Sequence, residues 1–275
     1  MRTVAIIAAK ELRDGVRNRW VVAAILLLAG LALAIAFLGS GPVGTINASR
    51  LSTTVAGLTT LSVYLVPLIA LMLSYDAIIG EIERGTLLLL LSYPVRRWQV
   101  LAGKFFGHLA ILILAIGIGY GLMGVAIWAM EGVKPDEVPA LLNLIGSSVL
   151  LGAVFLALGY LLSTVSRERA TAAGLAVALW LVLAVIYDLA LLGLIVADGG
   201  RLIGEELFSA LLMVNPTSAF RIHNLMQYES VSAAAGLIGP DGAANHAMAS
   251  TLGSMTLWLF SAGLAAQVLF RRVDP

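Results

Sequence analysis

Imidazole and thioether groups gather late in the chain, where His223 and His246 stand near Met213, Met226, Met248 and Met255. Both ligand types suit Cu(I). Methionine is equally the usual filler of apolar helices, and these residues follow no fixed spacing, so packing is the favoured reading and no metal site is assigned. His108 lies near the start of a long apolar run and reads as a packing residue too. Asp188 differs from these. It is the only acid well inside an apolar run, and an ionisable group in such a place is by default a functional candidate. Its expected companion is Tyr187 or a polar group on a neighbouring helix, and a proton relay would need a second titratable group beside it.

The remaining chemistry is mostly excluded. Gly103-Lys104 is followed by Phe105 and lacks the upstream glycine and strand of a phosphate-binding loop, so the chain does not hydrolyse ATP by itself. Neither a zinc-protease helix nor a nucleophile elbow with its partners appears. With no cysteine, a disulfide scaffold and thiolate chemistry are ruled out. No catalytic residue is therefore assigned, and the chain reads as a non-enzyme.

The elements that must position these residues follow from composition. Of 275 residues, 60% are hydrophobic and only 12% charged. The mean hydropathy of +0.98 fits a chain solvated mostly by lipid. At roughly 20 apolar residues per membrane span, that length holds one integral membrane domain covering residues 1–275. Uncharged runs place spans at about 20–38, 54–75, 105–130, 141–165, 170–196 and 250–270. Pro67 interrupts the second, where neighbouring helices can satisfy the carbonyl it frees. The run from Leu207 to Phe220 is too short to span and contains Asn215-Pro216, so it suits a re-entrant or interfacial element.

Six spans put both termini on one side, and the basic residues identify it. Thirteen of the 17 Lys and Arg fall on the side of the termini, and only Arg50, Lys134, Arg201 and Arg221 fall on the other. The positive-inside rule makes the termini cytoplasmic. Residues 1–19 read as an interfacial helix, with Lys10, Arg13, Asp14 and Arg17 on one face and Ala5, Ala8, Leu12 and Val16 on the other. Gly117 and Gly121, with Gly124 following, permit close helix approach in the third span. Two connections are longer than a tether needs: a cytoplasmic one at 76–104 and an external one at 198–249.

The cytoplasmic loop reads Gly80-Glu81-Ile82-Glu83-Arg84-Gly85-Thr86-Leu87, then Leu88 to Leu91, Ser92-Tyr93-Pro94-Val95-Arg96-Arg97-Trp98, and later Gly103-Lys104. Physically it is a polar turn, a short apolar helix, a proline break and an amphipathic run into the third span. Its leucines are expected to be covered by the membrane domain, with Glu81, Glu83 and Arg84 at the tip.

This succession of acid, Gly-Thr-Leu, leucine run, Pro, Arg and Lys resembles the signature of the ABC-2-type permeases, six-span membrane subunits of ABC exporters. The layout of the whole chain is similar as well: amphipathic N-terminal helix, six spans, coupling loop after the second, structured external segment before the sixth. Lys10 to Trp20, Gly103 to His108 and Asn215 to Arg221 further resemble the branch that serves assembly of the copper centres of nitrous oxide reductase in denitrifying bacteria.

The resemblance implies an all-α, type V exporter permease in the bacterial inner membrane, acting as a homodimer. It implies two ATPase subunits, which carry ATP and Mg, bound to the coupling residues Glu81, Glu83, Arg84, Gly85, Thr86, Leu87, Leu88, Pro94 and Arg97. It also implies a periplasmic copper-handling protein that carries the copper, with a copper chaperone and nitrous oxide reductase (CuA and CuZ centres) further on. Glu205, Glu206, Asn215, Pro216, Phe220 and Arg221 would form the platform for that partner, on short helices at about 202–214 and 218–228; a role in merely sealing the bundle is the equal alternative. No cofactor is expected on the chain itself. A competing function is that of a true exporter moving a small sulfur-containing species, a lipid or a peptide. A secondary transporter would need acids paired between the two halves, and Asp188 has no counterpart in the first three spans.

Overall fold

The computed structural model describes residues 2–38, 50–132, 137–198, 205–226 and 243–273, and every regular element among them is helical. The first helix, α1 (Arg2–Arg17), ends one residue before α2 (Arg19–Leu38). There follow α3 (Arg50–Ser74), two short helices α4 (Ile79–Glu83) and α5 (Thr86–Ser92), and the long α6 (Arg97–Glu131). Next come α7 (Val138–Val165) and α8 (Arg169–Leu181), which passes through a π segment, Val182–Ile186, into α9 (Tyr187–Asp198). Two short helices, α10 (Glu205–Val214) and α11 (Pro216–Leu225), precede α12 (Ala243–Phe270).

Six helical stretches are long and apolar enough to cross a membrane: α2, α3, α6, α7, α8 with α9, and α12. Several outrun the expected spans. The third was expected from residue 105, yet α6 starts at Arg97, where the Gln99 side chain accepts the Arg96 N–H at 2.9 Å and closes the first turn. The extra turns carry Lys104, which with His108 one turn further on forms a polar interface with α1.

The core is built around α7, which packs against α3, α6 and α12. Small residues set the spacing: a Cβ at Gly152 would overlap Leu112 of α6, and one at Gly159 would overlap Ser74 of α3. Tyr120 and Ser62 share a hydrogen bond of 2.5 Å deep in the bundle, and hydroxyls such as Thr59 donate back to carbonyls four residues earlier, so these hydroxyls are satisfied without water. α3 continues through Pro67, and the Trp180 indole of α8 donates at 2.9 Å to the Tyr64 carbonyl one turn earlier.

The glycine stripe of α6 does not do what its spacing suggests. Gly117 and Gly121 face open space, and only Gly124 meets another helix, at Leu141. The close approach lies about four turns earlier, at Gly103 and Gly107, also spaced by four. A Cβ on Gly107 would sit 2.5 Å from that of Glu11, and one on Gly103 would sit 2.7 Å from that of Ile7, so α1 lies directly on the backbone of α6. The buried face of α1 is accordingly Ile7 flanked by Val4, Ala8, Glu11 and Gly15, whereas Ala5 and Val16 point outward. Bilayer and bundle both attract apolar side chains, so the sequence pattern shows the sum of two apolar faces.

Candidate functional site

Asp76, Glu81, Glu83 and Arg97 of the loop after α3 are engaged with the bundle. Where α3 ends, Asp76 Oδ1 and Oδ2 meet Arg169 Nε and Nη2 at 2.6 and 2.8 Å, a fork-to-fork pair joining the end of α3 to the start of α8. The Arg84 guanidinium lies 3.7 Å from the same carboxylate. Gly80 is the residue that allows this, since a Cβ there would fall 2.0 Å from Asp76 Oδ1. The first amides of α4, those of Ile78 and Ile79, donate to Ser163 Oγ of α7 at 3.0 and 3.1 Å, so a hydroxyl from another helix serves as its cap. Gly85 takes the left-handed backbone, φ 68°, that turns α4 into α5, and Thr86 Oγ1 donates to the Glu81 carbonyl across that corner.

The acids expected at the tip point the other way. Glu81 reaches inward to Lys104 Nζ at 2.5 Å, and the same ammonium group lies 2.9 Å from Glu11 Oε1 of α1. Lys104 itself is only 4% exposed. Beyond it His108 Nδ1 is 2.8 Å from the Tyr160 hydroxyl of α7, and its Nε2 is 3.7 Å from Glu11 Oε2. Glu83 Oε1 accepts the Arg169 N–H at 2.8 Å and so caps α8. Burial alone would raise the Glu11 carboxyl; the charges of Lys104, and then Lys10 and His108, outweigh it and hold Glu11 below its ordinary value.

The leucines divide, with Leu87, Leu90 and Leu91 covered by the bundle as expected and two left outside. Leu87 is buried against Ile7, Val100 and Phe270, while Leu88 and Leu89 are 56% and 67% exposed and Tyr93 68%. Pro94 is exposed where the chain turns back towards α6. Arg97 is occupied inside: its Nη1 donates to the carbonyls of Phe270, Arg271 and Val273 at 2.8, 3.3 and 2.5 Å, with Phe270 also beneath the guanidinium, so it caps α12.

At the opposite end, α11 runs inside the bundle. Pro216 to Phe220 are buried, as are Ile222, His223 and Asn224. Asn215 Oδ1 accepts the Thr217 N–H at 3.1 Å and caps the helix, with Pro216 in its first turn. Asn215 Nδ2 and Thr217 Oγ1 also donate to the Leu183 carbonyl at 2.7 and 2.8 Å, within the π segment whose wide turn takes that carbonyl off the regular ladder. His223 is hydrogen-bonded through both nitrogens, to Thr251 and to Asn143, each at 3.1 Å, and Asn224 bonds to Ser147 at 3.0 Å. Asp188 finds its companions on this helix: Arg221 Nη2 at 2.8 Å and Ser218 Oγ at 3.1 Å. Tyr187 instead donates to the Leu211 carbonyl.

The expected external platform is thereby corrected. Asn215, Pro216 and Phe220 are at most 1% exposed or buried among α3, α7 and α12, and Arg221 is bound to Asp188, so these four fasten this end of the bundle. The surface left to a partner is α10, where Leu207 and Val214 are exposed; the side chains of Glu205 and Glu206 lie outside the described residues. The side chains of His246 and Met248 lie outside them too, Met255 is in the core, and among the described residues no three His, Asp or Glu side chains gather as a metal site. Sequence reading missed Ser163, Asp76, Arg169 and the Gly103–Gly107 contact; of these only the Gly-x-x-x-Gly spacing was a visible signal.

The family model for the ABC-2 family transporter protein matches residues 5–275. Two curated relatives, both named probable ABC transporter permease protein NosY, are similar over 99% of either chain: that of Pseudomonas aeruginosa is 46% identical over 278 residues, and that of Stutzerimonas stutzeri 44%.

Proposed function

Because the chain belongs to the ABC-2 family of transporter proteins, as a multi-pass membrane protein related to permease subunits, we propose that it couples a partner ATPase to work on the far side of the membrane. The observation that carries this reading is the pairing of an exposed apolar apex, Leu88, Leu89 and Tyr93, with a base tied through Lys104 to α1 and α6. An apolar knob suits the groove of a soluble subunit, and a rigid base transmits displacement into the bundle. ATP binding then shifts the permease only in so far as the ATPase grips the knob differently in its two states.

On this reading the termini and the α4–α5 hairpin are cytoplasmic, two copies of the chain pair in the inner membrane, and two ATPase subunits carry ATP and Mg. The shared motifs at Lys10 to Trp20 and Asn215 to Arg221 support a place in copper-centre assembly of nitrous oxide reductase, with the copper held by a periplasmic partner docked on α10. The chain contributes movement and no catalytic group. Copurification with the neighbouring ATPase and periplasmic proteins, followed by ATP hydrolysis and copper assays, tests this. Copper on the partner alone, with hydrolysis altered when that partner binds, is the expected result; ATP-dependent passage of copper, a lipid or a peptide across the bilayer would replace it with an exporter.

A further inference from the structure

α8 and α9 form one helical rod from Arg169 to Asp198, interrupted only by the π segment. Of its apolar stretch 11% is buried inside the chain, against 61% for α7. In lipid there is no hydrophobic drive between helices, and packing and hydrogen bonds hold them together, so this rod is the span that moves most easily. A short set of polar contacts fastens it, and they fall at two places.

At the inner end both ties run through Arg169. Its guanidinium forks onto Asp76 after α3, and its backbone N–H donates to Glu83 at the end of α4. Near the middle, the Trp180 indole donates to the Tyr64 carbonyl of α3, and the Leu183 carbonyl accepts from Asn215 and Thr217. Those two residues are buried and belong to α11, which His223 and Asn224 tie to α7 and α12. Ala184, next to Leu183, is fully buried as well. Tyr187 and Asp188 bond to α10 and α11 about one turn further on, whereas every residue from Leu192 to Ala197 is exposed.

A rod fixed to the core near its middle and clasped to the hairpin at one end has the geometry of a lever. We propose that α8–α9 pivots at the π segment, with Arg169 as the tie at its driven end. Displacement of the α4–α5 hairpin then draws the start of α8 aside and swings the outer end of α9, from which the chain leads on to α10, in the opposite direction. The arms are nearly equal, 13 residues of α8 and 12 of α9, roughly 20 and 18 Å at 1.5 Å per residue, so the movement passes on at about the same size. Tyr187 and Asp188 sit close to the pivot, where the swing is smallest, so their bonds survive it. A π turn suits the pivot, because its displaced carbonyl is already held by side chains and the axis can bend there without stranding it. The lever rests on the reading of this chain as a coupling permease and names the element that does the coupling.

The test is pulsed electron resonance on spin-labelled chain in complex with its neighbouring ATPase, in nanodiscs and diluted with unlabelled chain. The chain contains no cysteine, so Leu142→Cys on α7 and Val196→Cys on α9, both exposed at the outer end, supply the only labels. A non-hydrolysable ATP analogue should change their separation by about 2 Å or more, while a reference pair at Leu142 and Leu257, on α7 and α12, stays in place. Arg169→Pro removes the guanidinium and the N–H together. Proline suits the first position of a helix, Glu168 before it is already extended, and Asp76 keeps Arg84 beside it, so the fold should stand. R169P should lose the change with the ATPase still bound, and Arg169→Lys, which keeps the N–H and a charge for Asp76, should retain most of it. A full-sized change in R169P, or a wild type in which the reference pair shifts and the α9 pair does not, would overturn the lever and leave the coupling reading standing. An ATPase that does not copurify, or a nucleotide that moves neither pair, would remove the coupling reading and the lever with it.

Discussion

Glu11 of the amphipathic helix and Glu81 of the α4–α5 hairpin meet on one ammonium group, that of Lys104, at 2.9 and 2.5 Å. The nearly buried lysine therefore makes three elements, far apart in the chain, into one body at the point where a cytoplasmic subunit would push. Two negative charges on one positive charge also means that the joint depends on Lys104 more than on either acid.

Lys104→Met should accordingly be the most damaging single change at this end. It leaves Glu81 without its counter-charge and Glu11 with only the exposed Lys10, and loss of one partner from a buried ion pair costs about 3–5 kcal/mol. Thermal unfolding of the purified chain in detergent should show a melting temperature well below wild type. Restoring it in the triple variant K104M/E11Q/E81Q, where no buried charge remains, is the diagnostic outcome; a triple variant as unstable as K104M would mean that packing by the lysine stem, and not charge, holds the joint.

The hairpin yields a clean separation of folding from docking. Leu88→Asp with Leu89→Asp alters side chains that are 56% and 67% exposed, so the melting temperature should stay within about 1–2 °C of wild type while the ATPase subunit no longer copurifies. Glu81→Arg should behave in the opposite manner, lowering stability first because it sets a guanidinium against Lys104. Copurification that survives L88D/L89D would place the ATPase contact elsewhere.

Much of this molecule was legible from its sequence, and the failures share one cause. The six spans, the amphipathic α1 and the hairpin after α3 follow from charge-free length and from the Gly-Thr-Leu and Pro punctuation, which act locally. Which way Glu81, Leu88, Arg97 and Phe220 point does not, because each answer is supplied by a residue far away: Lys104 draws Glu81 inward, the α12 carbonyls occupy Arg97, and the π segment with α7 and α12 encloses the Asn215-Pro216 turn. Apolar patterning carries least information in lipid, where outward and inward faces are both apolar. The two glycine pairs of α6 show this well, since Gly103 and Gly107 have the same spacing as Gly117 and Gly121 and only the first pair has a helix against it.

Asp188 should prove to be a fastening and not a proton carrier. With Arg221 at 2.8 Å and Ser218 at 3.1 Å, Asp188→Ala leaves the arginine unpaired at a site about a quarter exposed, and a loss of about 1–3 kcal/mol is expected. D188N/R221Q, which keeps hydrogen bonding without charge, should recover most of it and should retain ATPase stimulation in the assembled complex. Wild-type stability with lost stimulation in D188N alone would instead mark a working ionisable group.

The pH dependence of the α1 joint follows from Glu11. Its carboxyl is held below its ordinary value near 4.5, with burial opposing the shift and Lys104 the main charge producing it. A group whose pKa is lower in the folded state stabilises fully above its unfolded pKa, and the contribution fades as pH falls through the folded value. The melting-temperature difference between wild type and Glu11→Gln should therefore be constant from about pH 8 down to about pH 5 and shrink only in more acidic solution. A difference that collapses already between about pH 7 and 6 would mean that a group other than Glu11 controls the joint.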